Sequence, residues 1–296
     1  MRVFVTGAAG FIGSETTKEL IAAGHQVVGL ARSDDNVRTL EQLGAEVHRG
    51  SLQDLDSLKR GARDCDGVIH LAFIHDFAKF AENGAIDKTA IEAIGDELVG
   101  TNKPFIVTSG TGLVAAGVVV TEDMRRESSA YVPRMSEQAG LAYASRGVRA
   151  MALRLPQVHG AAGKAGLLSY LVELARQKGA AAYVGEGTER WPAAHRQDVA
   201  RLYRLALENG TADGIYHAVG EEGVAMREMI EVVGRALDVP VISITKEQAG
   251  EYYGPLAMFA GLDMPASSAL TQQRLGWMPS GIGLIADISQ PGYFKA

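Results

Sequence analysis

The sequence predicts a doubly wound α/β fold: a parallel sheet with helices on both faces, followed by a smaller C-terminal α/β region. Three observations predict it. Short apolar runs of β type alternate with helical patterns through the first half, a glycine-rich turn joins the first run to the first helix, and the alternation becomes less regular after residue 160. Strands separated by helical segments cannot pair through tight hairpins. They need crossover connections, which make a parallel sheet.

Taken in order, residues 2–6 (RVFVT) read as the first strand and 12–23 as the first helix. Residues 26–31 (QVVGLA) are the second strand, 37–43 a short helix, 46–48 the third strand and 55–62 another helix. The fourth strand is 67–73 (GVIHLAF), followed by a long helix at 85–99 and a fifth strand at 105–109 (FIVTS). After a loop, 134–145 reads as a helix and 149–155 (RAMALRL) as the strand that completes the doubly wound sheet. Beyond it come helices at 167–178, 196–208 and 226–237, a strand at 214–218, and a tail from 241 rich in Gly and Pro turns. The expected division is residues 1–160 with 195–218 returning to them as the main domain, and 161–194 with 219–296 as a substrate-side cap.

A chain of 296 residues with 47% apolar content can bury a sizeable core. The net charge of −6 and the lack of a dense basic patch exclude a nucleic-acid surface, which needs clustered Lys and Arg. Residues 1–7 run directly into a strand and a glycine turn, without the apolar region and cleavage site of a signal peptide, and no apolar stretch approaches a membrane span. A cytoplasmic protein is expected. Cys65, the single cysteine, has no evident basic partner and reads as a packing residue. No His/Cys/Asp/Glu group has metal-ligand spacing, and no Gly-x-Ser-x-Gly elbow occurs.

The most specific signal is Thr6-Gly7-Ala8-Ala9-Gly10-Phe11-Ile12-Gly13, which follows the first strand and opens the first helix. Gly7 permits the tight turn, Gly10 lets the backbone approach a pyrophosphate, and Gly13 lets the helix pack closely on the strand. The phosphates then meet free amides at the positive end of the helix dipole. In this context the motif marks a Rossmann dinucleotide site, with Ala9, Phe11 and Ile12 alongside the glycines. At the end of the second strand, where an acidic residue would bind the ribose hydroxyls of NAD, stand Arg32 and Ser33. A guanidinium and a hydroxyl suit a 2′-phosphate, so NADP is expected over NAD; Asp34 or Asp35 would reverse that preference if turned inward. Ligands lie over the carboxyl ends of parallel strands. Ser51 and Leu52 are therefore expected near the adenine, and Leu71, Ala72 and Phe73 along the pyrophosphate and ribose. His70, inside the fourth strand, reads as a packed core residue.

Together with the glycine motif, residues 67–72, 105–109, 154–160 (RLPQVHG) and 195–200 (HRQDVA) resemble the extended short-chain dehydrogenase/reductase superfamily, in its NAD-dependent epimerase/dehydratase-like branch. The resemblance covers about the first 205 residues. It implies that Pro156 and Val158 line the nicotinamide pocket and that the residues after Gly160 build a substrate lid. It also implies a Ser or Thr after the fifth strand, met by Ser109 or Thr111, and a tyrosine followed four residues later by a lysine. That second requirement is not met: Tyr131 is followed by Val132-Pro133-Arg134-Met135, and counting back from the next strand puts the family tyrosine nearer Ser128 or Ser129. Pro133 belongs at a first helical position, which leaves Tyr131 just before the helix and Arg134 in its first turn. Arg134 would lower the phenol pKa but cannot relay a proton. Tyr131 with Arg134 is the expected catalytic pair, against a reading in which Tyr131 only packs at the cleft edge.

Other positions weigh less. His75-Asp76 could supply an acid and a base or simply be solvated, Glu137 reads as a surface ion pair with Arg134, and Tyr183, Trp191 and His195 could meet a substrate. The resulting expectation is hydride transfer between NADP(H) and a small carbonyl or alcohol. A nucleotide-sugar epimerase or dehydratase, or a catalytically silent NADP(H)-binding regulator, are the alternatives. The apolar content of residues 85–99 and 135–142 allows a helix-to-helix homodimer, or burial wholly within the monomer.

Overall fold

A strand covered on both faces must be apolar along its whole length. The runs of the first half meet that demand in the computed structural model, which describes residues 1–125, 134–161, 164 and 166–294. The strands β1 (Arg2–Thr6), β2 (Gln26–Ala31), β3 (Glu46–Arg49), β4 (Gly67–His70), β5 (Pro104–Gly110) and β6 (Arg149–Leu155) are joined from later in the chain by β10 (Gly214–His217). They form one parallel sheet in the order β10-β6-β5-β4-β1-β2-β3. The expected doubly wound Rossmann sheet is present.

Alternate residues of each strand serve opposite faces. Val3, Val5, Ile69, Ile106 and Leu153 pack with Leu20 of α1 (Phe11–Ala22), Leu40 of α2 (Asp34–Gln42) and Leu202 of α7 (Arg196–Asn209). Phe4, Val68, Phe105 and Val107 pack with Leu58 of α3 (Leu55–Arg63), Ile91 of α4 (Phe80–Leu98) and Ala139 of α5 (Ser136–Leu141). The apolar residues Ala90, Ile91, Ala93, Ile94 and Leu98 of α4 are thus buried within this chain.

The remaining elements build a second layer. Strands β7 (Gln157–His159), β9 (Arg190–His195) and β11 (Glu221–Ala225) form a sheet in the order β11-β9-β7, and β8 (Ala181–Val184) pairs with β12 (Val241–Ile244). Their core includes Leu168 and Val172 of α6 (Leu167–Lys178), Met229 and Val233 of α8 (Met226–Leu237), Tyr253 of α9 (Lys246–Tyr253) and Phe259 of α10 (Ala257–Ala260). The helices α11 (Ala269–Leu275) and α12 (Leu284–Ile288) close the chain. Among the described residues no helix is long and apolar enough to cross a membrane.

Three expectations need correction. The fourth strand ends at His70 rather than Phe73, because the Ala72 amide turns to Thr6 Oγ1 (3.2 Å) and leaves the ladder. The helix expected from Arg134 begins at Ser136 and ends at Leu141, because the Arg134 side chain is drawn inward and Gly147, at φ +76°, turns the chain toward β6. The tail is not only turns: Thr245 caps α9 through a full capping box with Gln248, and α10 to α12 follow.

Candidate active site

The carboxyl ends of β1, β2, β4, β5 and β6 open onto a cavity of about 750 Å³ that runs from the glycine turn to the second layer. Its cofactor end is built by close backbone contact. A Cβ at Gly7, whose φ is +70°, would lie 2.9 Å from the Ala72 amide nitrogen, and one at Gly13 would lie 2.0 Å from the Gly7 carbonyl oxygen. Among the described residues no side chain caps α1, whose first turn lines the cavity. These features fit a dinucleotide pyrophosphate.

Gly7, Ala9, Gly10, Phe11, Ile12, Gly13, Arg32, Ser51, Leu52, Leu71, Ala72, Phe73, Ser109, Thr111, Arg134, Pro156 and Val158 all line this one cavity. Ser33 does not: its hydroxyl caps α2, accepting from the Asn36 amide (3.3 Å), and Asn36 lines the wall in its place. Tyr131 lies outside the described residues. Asp34 and Asp35 are turned to Arg49 and Arg38, so neither is committed to the space beside Arg32.

At the reaction end, Ser109 is 3% exposed and its Oγ has no hydrogen-bond partner among the described residues. Thr111 Oγ1 donates to the Leu155 carbonyl (3.3 Å). Arg134 donates from Nη2 to the Thr108 carbonyl (2.9 Å) and from Nε to Ser136 Oγ (2.8 Å), with its guanidinium 4.0 Å from the Phe73 ring centroid. Burial lowers its pKa from the usual guanidinium value, opposed by the charge of Asp87.

Behind Arg134 runs a buried polar chain. Ser136 Oγ donates to Asp87 Oδ2 (2.5 Å), Asp87 Oδ1 lies 3.1 Å from His70 Nε2, and His70 Nδ1 lies 3.0 Å from Thr6 Oγ1. Burial raises the Asp87 pKa, but the His70 hydrogen bond and charge, with Arg134 and Ser136, outweigh it and hold the carboxyl below its ordinary value. His70 is a core residue as expected, 1% exposed, yet it also anchors this chain. Asp87 and Ser136 were not singled out by sequence; the available signal was an acidic residue at a buried position of a largely apolar helix face.

Several secondary candidates go elsewhere. Glu137 is 2% exposed and pairs with Arg154 rather than forming a surface pair with Arg134. His75 lines the cavity, whereas Asp76 caps a short 3₁₀ turn by accepting from the Ala78 amide (3.1 Å). The Tyr183 hydroxyl accepts from Arg227 (2.9 Å), and His195 caps α7; neither lines the cavity. Trp191 does, together with Gln157, Lys164, Tyr170, Phe259 and Met264. Burial pushes the Cys65 thiol up to about 11, in keeping with a packing role.

The chain is similar in sequence and in fold to known proteins. An uncharacterized protein of Schizosaccharomyces pombe is 48% identical over 99% of this chain and all of its own length. A sterol-4-alpha-carboxylate 3-dehydrogenase, decarboxylating, of Dictyostelium discoideum is 29% identical over 76% of this chain and 73% of its own. The crystal structure of DesIV, a dTDP-glucose 4,6-dehydratase of Streptomyces venezuelae with NAD and TYD bound, superposes with a TM-score of 0.78 at 20% identity, covering 99% of this chain and 96% of that one. The sequence pattern of the NAD dependent epimerase/dehydratase family matches residues 3–219. The chain belongs to the NAD dependent epimerase/dehydratase family.

Proposed function

We propose that this chain is an NADP(H)-dependent oxidoreductase that interconverts a small, mainly apolar carbonyl compound and its alcohol. The observation that carries the reading is the Ser109 hydroxyl, buried without a hydrogen-bond partner among the described residues in the cavity that begins at the glycine turn. A buried hydroxyl left unpaired costs about 1–3 kcal/mol, which a substrate oxygen would recover. When bound, the dinucleotide supplies the hydride, or accepts it in the reverse direction.

The chain's own groups then handle the oxygen. Ser109 Oγ donates to the carbonyl oxygen and orients it. Arg134, fixed by Thr108, Ser136 and Phe73, places a positive charge beside the site, which stabilises negative charge on that oxygen and lowers a nearby phenol pKa. Tyr131 is assigned the proton transfer to the oxygen on its sequence position alone. The remaining walls, including Phe73, Ile74, Phe80, Leu167, Trp191 and Met264, exclude water. Such walls suit an apolar ketone better than a nucleotide sugar, whose diphosphate calls for clustered cations. The 3-dehydrogenase named among the relatives supports the same choice. Arg32, with both neighbouring aspartates paired elsewhere, supports NADP.

The test is NADPH oxidation against a panel of apolar ketones and aldehydes. Ser109→Ala is expected to lower kcat/KM by about 10²-fold or more while coenzyme affinity is retained, and Tyr131→Phe to lower kcat by a similar factor. Coenzyme binding without turnover of any carbonyl would favour a silent regulator. Activity unchanged in Tyr131→Phe would remove that residue from the mechanism.

A further inference from the structure

Two more buried polar groups in the same cavity lack partners, and neither is needed to bind a dinucleotide or to reduce a carbonyl. Trp191, 2% exposed, has no acceptor for its Nε1–H, and Gln157, 6% exposed, has no partner for its Nε2 among the described residues. Both line the cavity. Their strands set them side by side. Gln157 of β7 is in parallel register with Ala193 of β9, and Trp191 stands two residues before Ala193, so all three share one face of that sheet. The β7 strand directly follows Pro156 at the end of β6, which places this face next to the reaction end rather than at the Arg32 end.

An indole N–H can only donate, so what it meets must be an acceptor. The cavity that the pair lines also carries the apolar Leu167, Phe259 and Met264; of its cations, Lys164, the nearest in sequence, has an exposed side chain, and the Arg134 guanidinium is held by Thr108, Ser136 and Phe73. Buried neutral donors in an apolar wall suit a neutral oxygen; a carboxylate placed there would need a buried cation to offset its desolvation. We propose that Gln157 and Trp191 form a second oxygen-binding subsite, and that the substrate class is a keto ester or comparable dicarbonyl compound, with one carbonyl at Ser109 and a second, neutral carbonyl at the Gln157–Trp191 pair. This deepens the oxidoreductase reading and rests on it for the role of the first carbonyl.

The experiment pairs turnover with binding. The ethyl esters of 3-, 4- and 5-oxohexanoic acid are each compared with the nonanone of equal chain length whose carbonyl sits at the same position, using NADPH oxidation and calorimetric titration of the protein loaded with NADP. At least one keto ester is expected to bind about tenfold more tightly than its nonanone. Trp191→Phe, which keeps an aromatic ring and removes the N–H, and Gln157→Leu are each expected to reduce that advantage to less than threefold, raising KM for the keto esters more than they lower kcat and weakening the keto esters more than the nonanones. If no compound turns over but the binding preference and its loss in both variants hold, the subsite stands and the oxidoreductase reading falls. If keto esters and nonanones turn over with equal KM, or both variants weaken all compounds alike, the subsite falls and the oxidoreductase reading stands. A keto acid preferred over its ester, with the preference abolished by Lys164→Met, would also overturn the neutral-acceptor assignment.

Discussion

His217 is fully buried between a guanidinium and a carbonyl, and that placement fixes its protonation. Arg154 Nη1, a donor, lies 3.1 Å from His217 Nε2, so Nε2 accepts, and Nδ1–H donates to the Ser267 carbonyl at 2.7 Å. Burial pushes the imidazole pKa down, Glu122 pulls it up, Arg154 pushes it down again, and it settles at about 4. The folded value lies below the ordinary 6.5, so the unfolded chain binds the extra proton first. Stability from this group is complete above about pH 6.5 and is lost progressively as the pH falls toward about 4. Urea midpoints measured across that window are expected to decline, and His217→Gln to flatten the decline; an equal slope in the variant would contradict the assignment. Little of this was legible in the sequence. His217 and Arg154 sit in different strands, and only the β6–β10 pairing, His217 beside Arg154, brings them together.

At the scale of the element, α5 is held by one buried ion pair. Glu137 accepts from Arg154 Nε (2.7 Å) and Nη2 (2.6 Å), and Nη2 also donates to the Met124 carbonyl (2.8 Å). Removing one partner leaves an uncompensated charge in the core. Glu137→Ala is expected to cost about 3–5 kcal/mol in denaturant unfolding, and Glu137→Gln less, since it keeps the shape and one acceptor. A cost below about 1 kcal/mol for Glu137→Ala would show the pair to be solvated. The same element shows where sequence reading stops. Strands β1, β2 and β6 and helices α6 and α8 have the bounds their apolar periodicity predicts, because those patterns are local. The start of α5 depends on where the Arg134 and Ser136 side chains go, toward β5 and α4, and no local pattern encodes that. The glycine turn was legible for the opposite reason: its geometry is demanded by the few residues on either side of it.

For the whole molecule, a coenzyme bound in the cavity adds stability by mass action. NADPH at a hundred times its dissociation constant adds about 2.7 kcal/mol of stability, which for a chain of this size raises Tm by about 5 °C. NADH at the same concentration is expected to give a smaller rise, and Arg32→Ala to erase most of the difference. A larger rise with NADH would overturn the proposed preference for NADP. The distribution of cations in the cavity is a property of the assembled fold, and sequence reading reached Arg32 only because it ends a strand of the glycine-turn unit. Lys164, Gln157 and Phe259 reach the same cavity from distant parts of the chain.

The strand β9 continues without interruption into α7, and α7 lies along α1, tied to it by Arg204–Glu19 and Arg196–Glu15. Trp191 is therefore joined through one continuous strand and helix to α1, whose first turn lines the cavity. Any effect that occupancy at one end has on affinity at the other is reciprocal: whatever a substrate does to coenzyme affinity, the coenzyme does to substrate affinity. A substrate that tightens coenzyme binding would be tightened by the coenzyme to the same degree, whichever of the two arrives first.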